Sequence, residues 1–306
     1  MMALTKGKKT MLSIGSVMAG IAALWYGVFG LKPYSLSTEE LTARYAYSLK
    51  QQVQLDLKEL TPQSFEFTYP SFDGVTVNGR ISYPQDPKTI QNPLPVLIGA
   101  HAMGRSQIRW WQDSFKDRAT FEQTDKITAM ALAKGYAVVA IDARHHGLRK
   151  DPDLSLVDII DNLHWWGERE PYETMLVDTV RDHRVLLDWL EQQPMLDKNK
   201  IKLAGYSMGA QISLLLAGVD SRIKSVAAIV PPHMNSTTAV VAPLNVMAGL
   251  SDNQVWLFTA DDDEYASIKQ NQQLFDALPN PDKKLFRFDS GHLLPADYVT
   301  KLEPWL

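Results

Sequence analysis

Cysteine is absent from the 306-residue sequence. Disulfide staples, thiolate metal ligands and a thiol nucleophile are therefore excluded, so any covalent catalysis falls to another side chain. An excess of positive charge is missing too: 31 Lys and Arg stand against 35 Asp and Glu, for a formal net charge of −4. No basic stripe is available to follow a phosphate backbone, which argues against nucleic acid as a partner. Internal repeats and low-complexity tracts are lacking, which speaks against a solenoid or a disordered array. What remains is an ordinary globular composition, 45% hydrophobic and 22% charged, sufficient for a core that stands without staples.

One further absence is local. From Thr10 to Leu31 no side chain is charged, and residues 11–31 read MLSIGSVMAGIAALWYGVFGL. An α-helix needs about 20 such residues to cross the hydrocarbon core of a bilayer. Lys6, Lys8 and Lys9 precede the run and Lys32 follows it. This distribution predicts a cytoplasmic N-terminus at 1–10, a single-pass anchor at 11–31 and a body outside the cytoplasm. Trp25 and Tyr26 fall near the far end, where amphipathic rings favour the interface. A cleaved signal is the alternative, leaving a secreted or periplasmic body, although no Ala-x-Ala site closes the run. A buried soluble helix is the third reading.

After this segment, Ser37-Thr38-Glu39-Glu40 forms a capping-box pattern, so a helix is expected from there to about Leu60 within a helical linker at 32–63. Phe65–Tyr69 and Val75–Tyr83 alternate apolar and polar residues around Asp73-Gly74, as two half-buried antiparallel strands do. From Pro95 onward the pattern changes. Val96–Ala100, Ala137–Ile141, Ile201–Ala204, Val226–Val230 and Val255–Phe258 are short apolar runs suited to strands covered on both faces. Helical patterns lie among them at 125–134, 174–193, 208–218 and 267–278. Strand and helix in alternation indicate a parallel sheet wrapped by helices. The expectation is an α/β fold in one domain at 64–306, with antiparallel N-terminal strands. Insertions near 104–120, with Trp110-Trp111, and near 148–172, with His164-Trp165-Trp166, are expected as lid or pocket wall above the C-terminal edge of the sheet. Paired tryptophans more often supply buried area than substrate contacts.

Gly205-Tyr206-Ser207-Met208-Gly209 fits G-x-S-x-G between an apolar strand-like run and a helical one, the setting of a nucleophile elbow. A serine in so tight a turn crowds the positions two residues away, which explains the glycines. Its hydroxyl needs a base. Of seven histidines, His292 follows the last strand-like run, Leu285–Phe288, and stands where the base of such an enzyme belongs. The acid should follow Val255–Phe258, where Asp261, Asp262, Asp263 and Glu264 occur in succession. Asp262 is the first choice and Asp263, then Asp261, the alternatives; Glu264 is the least favoured. Met208, by its backbone N–H, is the expected oxyanion donor, with Met103 as its partner and Ala102 as the alternative. His101 is expected to brace that loop. Asp142-Ala143-Arg144-His145-His146-Gly147 resembles a metal cluster superficially, but neighbouring histidines do not readily face one ion. No metal and no cofactor are expected.

With these motifs assembled, the chain resembles the α/β-hydrolase superfamily, above all its dienelactone-hydrolase-like and acetyl-esterase-like branches. The resemblance runs from about Phe65 to the C-terminus. It rests on Asp73-Gly74, His101-Ala102-Met103-Gly104, Asp142 through Gly147, the serine elbow, Asp220-Ser221-Arg222-Ile223, the acidic loop and Ser290-Gly291-His292. It implies an α/β-hydrolase fold, Ser207 as nucleophile, His292 as base and one of Asp261–Asp263 as acid. Two departures stand out: the cysteine nucleophile of some dienelactone hydrolases is absent, and Ala102 replaces a usual glycine. A small-molecule carboxylic ester is the expected substrate. Amides, peptides and thioesters are alternatives on the same triad, and a catalytically idle, membrane-tethered binding protein is the alternative from another class. Substrate identity and oligomeric state are not written in the sequence.

Overall fold

The computed structural model describes residues 6–115 and 117–306, with side chains given from Met18 onward. Helix α1 (Lys6–Phe29) covers most of the expected 11–31 span. The part of that span before Met18, and the tail at 1–10, lie outside the described side chains. Among the described residues no helix is long and apolar enough to cross a membrane.

Ser37 opens α2 (Thr38–Tyr45) through a complete capping box: its hydroxyl accepts the Glu40 N–H, and the Glu40 carboxylate accepts the Ser37 N–H. The helix ends far short of Leu60, which corrects the helical linker expected at 32–63. The Tyr45 carbonyl accepts from Arg184 at 2.7 Å, its hydroxyl donates to the Val240 carbonyl, and Ala46 is already extended. Beyond it, Asp56–Thr61 forms β1, paired antiparallel with β2 (Ser64–Pro70). The sheet therefore begins at Asp56, before the boundary expected at residue 64. Without β1, the backbone groups on that side of β2 would be left as an open edge. β2 and β3 (Thr76–Ser82) pair antiparallel around Asp73-Gly74, with Gly74 at φ 84°.

The chain continues through β4 (Leu94–Ala100), the small hairpin β5 (Ser114–Phe115) and β6 (Arg118–Ala119), α3 (Thr124–Ala133), β7 (Ala137–Ile141), α4 (Leu156–Trp166), α5 (Glu170–Leu190), β8 (Leu196–Tyr206), α6 (Met208–Val219), β9 (Ser225–Ile229), β10 (Gln254–Ala260), α7 (Ile268–Ala277) and β11 (Lys283–Phe288). Among the described residues the main sheet has nine strands in the order β1-β2-β3-β7-β4-β8-β9-β10-β11, antiparallel as far as β7 and parallel beyond it. Every residue of β7 and β9 is buried, as continuous apolar runs require. On β4 the side chains alternate between two cores. Val96 and Ile98 join the α5–α6 side, while Leu97 packs with Ile127 of α3, Tyr298 and Trp305.

β7 lies on one side of β4 and β8 on the other, so the winding direction switches at β4. A crevice opens at the C-terminal ends of strands flanking such a point. Both insertions lie near it, but they do different things. Trp110 is fully buried across Gly99, where a Cβ would stand 2.4 Å from the indole. Trp111 donates its Nε1–H to the Ser82 hydroxyl at 2.9 Å. The second insertion folds as α4, opened by the Ser155–Asp158 capping box and closed by Gly167 at φ 67°.

Candidate active site

β8 delivers Gly205 and Tyr206 to the crevice, and α6 starts at Met208. Ser207 between them has φ 57° and ψ −119°, a conformation that costs an L-residue of order 1–3 kcal/mol. Its N–H donates to the Ile229 carbonyl at 2.8 Å, and its own carbonyl accepts the Ala210 N–H at 2.8 Å. These bonds hold the turn in place. A Cβ on Gly205 would stand 2.1 Å from the Gly209 carbonyl oxygen, and one on Gly209 2.1 Å from that of Ala100. Gly209→Ala is therefore expected to destabilise the fold by about 3 kcal/mol, at the upper end of overpacking costs, measured by denaturant unfolding. An unchanged midpoint would show that the turn can relax.

The Ser207 hydroxyl lies 2.8 Å from His292 Nε2. Both carboxylate oxygens of Asp263 lie 3.0 Å from His292 Nδ1. Asp263 Oδ1 also accepts the Tyr265 N–H at 2.8 Å, and its carboxylate is almost wholly buried. With Nδ1–H donating to Asp263, Nε2 presents its lone pair to the serine. Asp262, the first choice from sequence, is corrected: its side chain is exposed, and its backbone N–H donates to the Ser290 carbonyl. Asp261 pairs with Arg287 at 3.0 Å, and Glu264 faces the His292 N–H at 3.4 Å. The reason is the ladder between β10 and β11, which runs on past both strands through the N–H groups of Asp261 and Asp262. Asp263 is the residue in this run whose carboxylate reaches the imidazole.

A family model described as alpha/beta hydrolase fold matches residues 121–257. Solved structures agree over nearly the whole chain. An acetyl xylan esterase from Paenibacillus sp. R4 has a TM-score of 0.61 at 18% identity, covering 91% of this chain and 97% of its own. Acetyl xylan esterase 1 from Thermoanaerobacterium sp. JW/SL YS485 has a TM-score of 0.65 at 15% identity, covering 92% and 96%. A cold-adapted esterase from an Arctic intertidal metagenomic library has a TM-score of 0.55 at 18% identity, covering 85% and 99%. The chain has the α/β-hydrolase fold. No curated protein matches its sequence.

Within that hydrolase fold, Tyr206 is a strut that the motif alone did not reveal, since it occupies a variable position of G-x-S-x-G. Its hydroxyl donates to the His292 carbonyl at 2.9 Å and accepts the Leu294 N–H at 3.1 Å, tying the histidine loop to the elbow strand. Tyr265 sets its ring edge-on to the imidazole with centroids 4.6 Å apart.

Ala102, Met103 and Met208 line the same cavity as Ser207. Met208 holds the first helical position of α6, where an N–H has no acceptor within the helix. The close approach of Gly209 to the Ala100 and His101 carbonyls brings the β4 loop against this helix end. His101 braces the loop from behind. Its Nδ1–H donates to the Ala102 carbonyl at 2.9 Å, and its Nε2 accepts the Ala143 N–H at 3.0 Å. Burial pushes His101 down to about 4 from its ordinary value of 6.5, so the ring is neutral there. An unfolded chain binds a proton on this ring below pH 6.5 that the folded one refuses until about pH 4. Its contribution to stability is therefore complete above pH 6.5 and declines as pH falls from 6.5 to 4, by up to about 1.4 kcal/mol per pH unit. His101→Gln is expected to flatten that part of the stability–pH curve in denaturant titrations. An unaltered slope would refute the assignment.

The other expected cluster members hold loops. Asp142 accepts the Gln107 and Leu148 N–H groups, His146 donates Nδ1–H to the Arg144 carbonyl, and His145 does so to that of Leu154. Asp220 is gripped by Arg184 and Arg222. Among the described residues no group of three or more His, Asp or Glu side chains is placed to hold a metal ion.

The cavity over Ser207 has a volume of about 440 Å³. Ile160 and Leu163 of α4, with Tyr172, Met234 and Leu293, form much of its wall. Of the insertions expected as lid or pocket wall, the cavity lining takes Ile160 and Leu163 from the second but no tryptophan: Trp110 is buried and Trp165 and Trp166 face outward. Arg105 and Glu122, 2.6 Å apart, also line the cavity, a pair that no sequence spacing announced. Burial would raise the Glu122 carboxyl, but the hydrogen bond and charge of Arg105 help hold it below its ordinary value. A larger cavity of about 580 Å³ beside α2 is lined by none of Ser207, Asp263 and His292.

Proposed function

We propose that the protein is a serine hydrolase of carboxylic esters, with Ser207 as nucleophile, His292 as base and Asp263 as acid. The observation that carries this reading is the hydrogen-bonded series from Asp263 through His292 to Ser207, ending in a mainly apolar cavity. In the first half-reaction the Ser207 oxygen attacks the ester carbonyl and its proton passes to His292 Nε2. Asp263 stabilises the imidazolium that forms. The negative charge on the former carbonyl oxygen is met by the Met208 N–H, with Met103 or Ala102 supplying the second donor. Collapse of the tetrahedral species expels the alcohol, which takes the proton from His292, and leaves an acyl-serine. Water then attacks the acyl-serine, giving a proton to His292, which passes it to the Ser207 oxygen as the acid departs, restoring the free hydroxyl.

Ester rather than amide is favoured by the cavity wall, where Ile160, Leu163, Met234 and Leu293 offer apolar surface to an acyl chain. The test is a fluorophosphonate probe combined with esters, amides and thioesters of graded acyl length. Labelling of the intact chain with preferred turnover of esters supports the proposal. Faster turnover of an amide or thioester would reassign the bond, and absence of labelling would leave an idle binding protein.

For location, we propose an anchored body on the outer side of the membrane. The support is the uncharged run from Thr10 to Leu31, the lysines before it, and the exposure of Met18, Ile21, Leu24 and Val28 on α1. The full-length chain is expected to stay with membranes through a carbonate wash; release into the soluble fraction would reject the anchor.

A further inference from the structure

The cover of the cavity and the end of α1 are one unit. Ile160 and Leu163 of α4 face the cavity over Ser207, while Trp165 and Trp166 at the end of the same helix are 60% and 53% exposed. The last turn of α1 meets these two rings. Trp25 packs edge-on to Trp165 with centroids 6.0 Å apart, and Phe29 packs at 89° to Trp166 at 5.2 Å. Gly167, which closes α4, lets the backbones touch, since a Cβ there would lie 2.1 Å from the Phe29 carbonyl oxygen. From Met18 to Leu24, by contrast, every residue of α1 is exposed, although none is charged. A helix apolar on all sides calls for an apolar cover.

We propose that this aromatic junction seats the mouth of the cavity on a lipid bilayer, and that the ester hydrolysed at Ser207 is drawn from the membrane past α4. The inference rests on the ester reading above and adds the source of the substrate. A bilayer is the favoured occupant for three reasons. The uncharged run matches the length of a hydrocarbon core. Four rings of the type that concentrates at the membrane interface (Trp25, Tyr26, Trp165 and Trp166) gather where that run ends. Lys32 then follows, its ammonium 5.1 Å from the Tyr26 ring centroid and able to meet anionic headgroups. With α1 in lipid, its contacts with Trp165 and Trp166 hold α4 at headgroup level. An acyl chain leaving the bilayer then meets Ile160 and Leu163 before Ser207.

Because the natural chain has no cysteine, a single Trp165→Cys substitution in the full-length protein takes a nitroxide at one site. The contact of Phe29 with Trp166 remains. The probe is vesicles of phosphatidylethanolamine and phosphatidylglycerol, with oxygen and a water-soluble nickel chelate as competing relaxers. At position 165 oxygen is expected to dominate, whereas at Lys198→Cys, exposed at the N-terminal end of β8, nickel should. Dominance of nickel at both sites overturns the proposal, as does a site at 165 shielded from both, which would mark a protein partner. In a second arm, the Trp165→Ser, Trp166→Ser double variant is assayed on a long-chain ester dissolved in the vesicles and on a short water-soluble ester. The expected result is a loss of about tenfold or more on the first with less than about twofold on the second. Equal loss on both would mean that the rings serve only to hold the fold, and overturns the proposal. A lipid-facing label in a protein that hydrolyses neither ester would reject the ester reading while leaving the membrane seat supported.

Discussion

Asp263→Asn is expected to lower kcat for ester hydrolysis by roughly 10⁴-fold, the size of loss known for the same change in a serine-protease triad, while Asp262→Asn leaves it within about threefold. The two residues are neighbours with the same charge, so the contrast isolates geometry. Asp263 Oδ1 already accepts the Tyr265 N–H. An asparagine keeps its oxygen on that donor and turns its amide NH₂ toward His292 Nδ1. The imidazole must then carry its proton on Nε2, where it faces the serine hydroxyl without a lone pair to receive a proton. Asp262 has only its backbone N–H engaged in this loop, bonded to Ser290, and asparagine preserves that bond. Steady-state kinetics on a short soluble ester give the two values, and thermal unfolding checks that both variants fold. Comparable losses from both would reject Asp263 as the acid.

The difference between these aspartates shows where sequence stops being legible. The elbow could be read because its sterics demand glycines at fixed positions, and the site of His292 because it follows the last strand. Which carboxylate meets His292 could not be read, because four acidic residues in a row present the same chemistry and the choice depends on how far the β10–β11 ladder extends. A similar limit applied at Ser37. A capping box marks where a helix begins but carries no instruction for where it ends, and contacts of Tyr45 with Arg184 and Val240 ended α2 early. The helix that walls the cavity was partly legible. Ser155 and Asp158 form a helix-start pattern, and Ile160 and Leu163 are spaced to share a face. The cavity contacts belong to these aliphatic residues, while Trp165 and Trp166 stand exposed at the end of the same helix. Arg105 and Glu122 meet across 17 positions of chain that include the β5–β6 hairpin, a separation with no periodic signature.

Ser207→Ala is expected to lower kcat by about 10⁵–10⁶-fold and to abolish fluorophosphonate labelling, with no loss of stability. In the proposed mechanism the hydroxyl oxygen is the atom that forms the acyl bond, and neither Ala102 nor Met208 supplies a substitute. What survives is the contribution of the cavity and the oxyanion donors, about 10³–10⁴ above the rate in water. Alanine retains the strained backbone, because φ 57° and ψ −119° are as unfavourable for its Cβ as for that of serine. Glycine does not. Ser207→Gly should be equally inactive yet more stable than Ser207→Ala by about 1 kcal/mol, the strain relieved less the extra freedom glycine has when unfolded. Three curves therefore decide the matter: activity, labelling and denaturant midpoint for wild type, alanine and glycine variants. If alanine retains labelling, another serine is the nucleophile. If glycine is no more stable than alanine, the turn at Ser207 stores no strain, and the closely packed glycines at 205 and 209 serve the shape of the elbow alone.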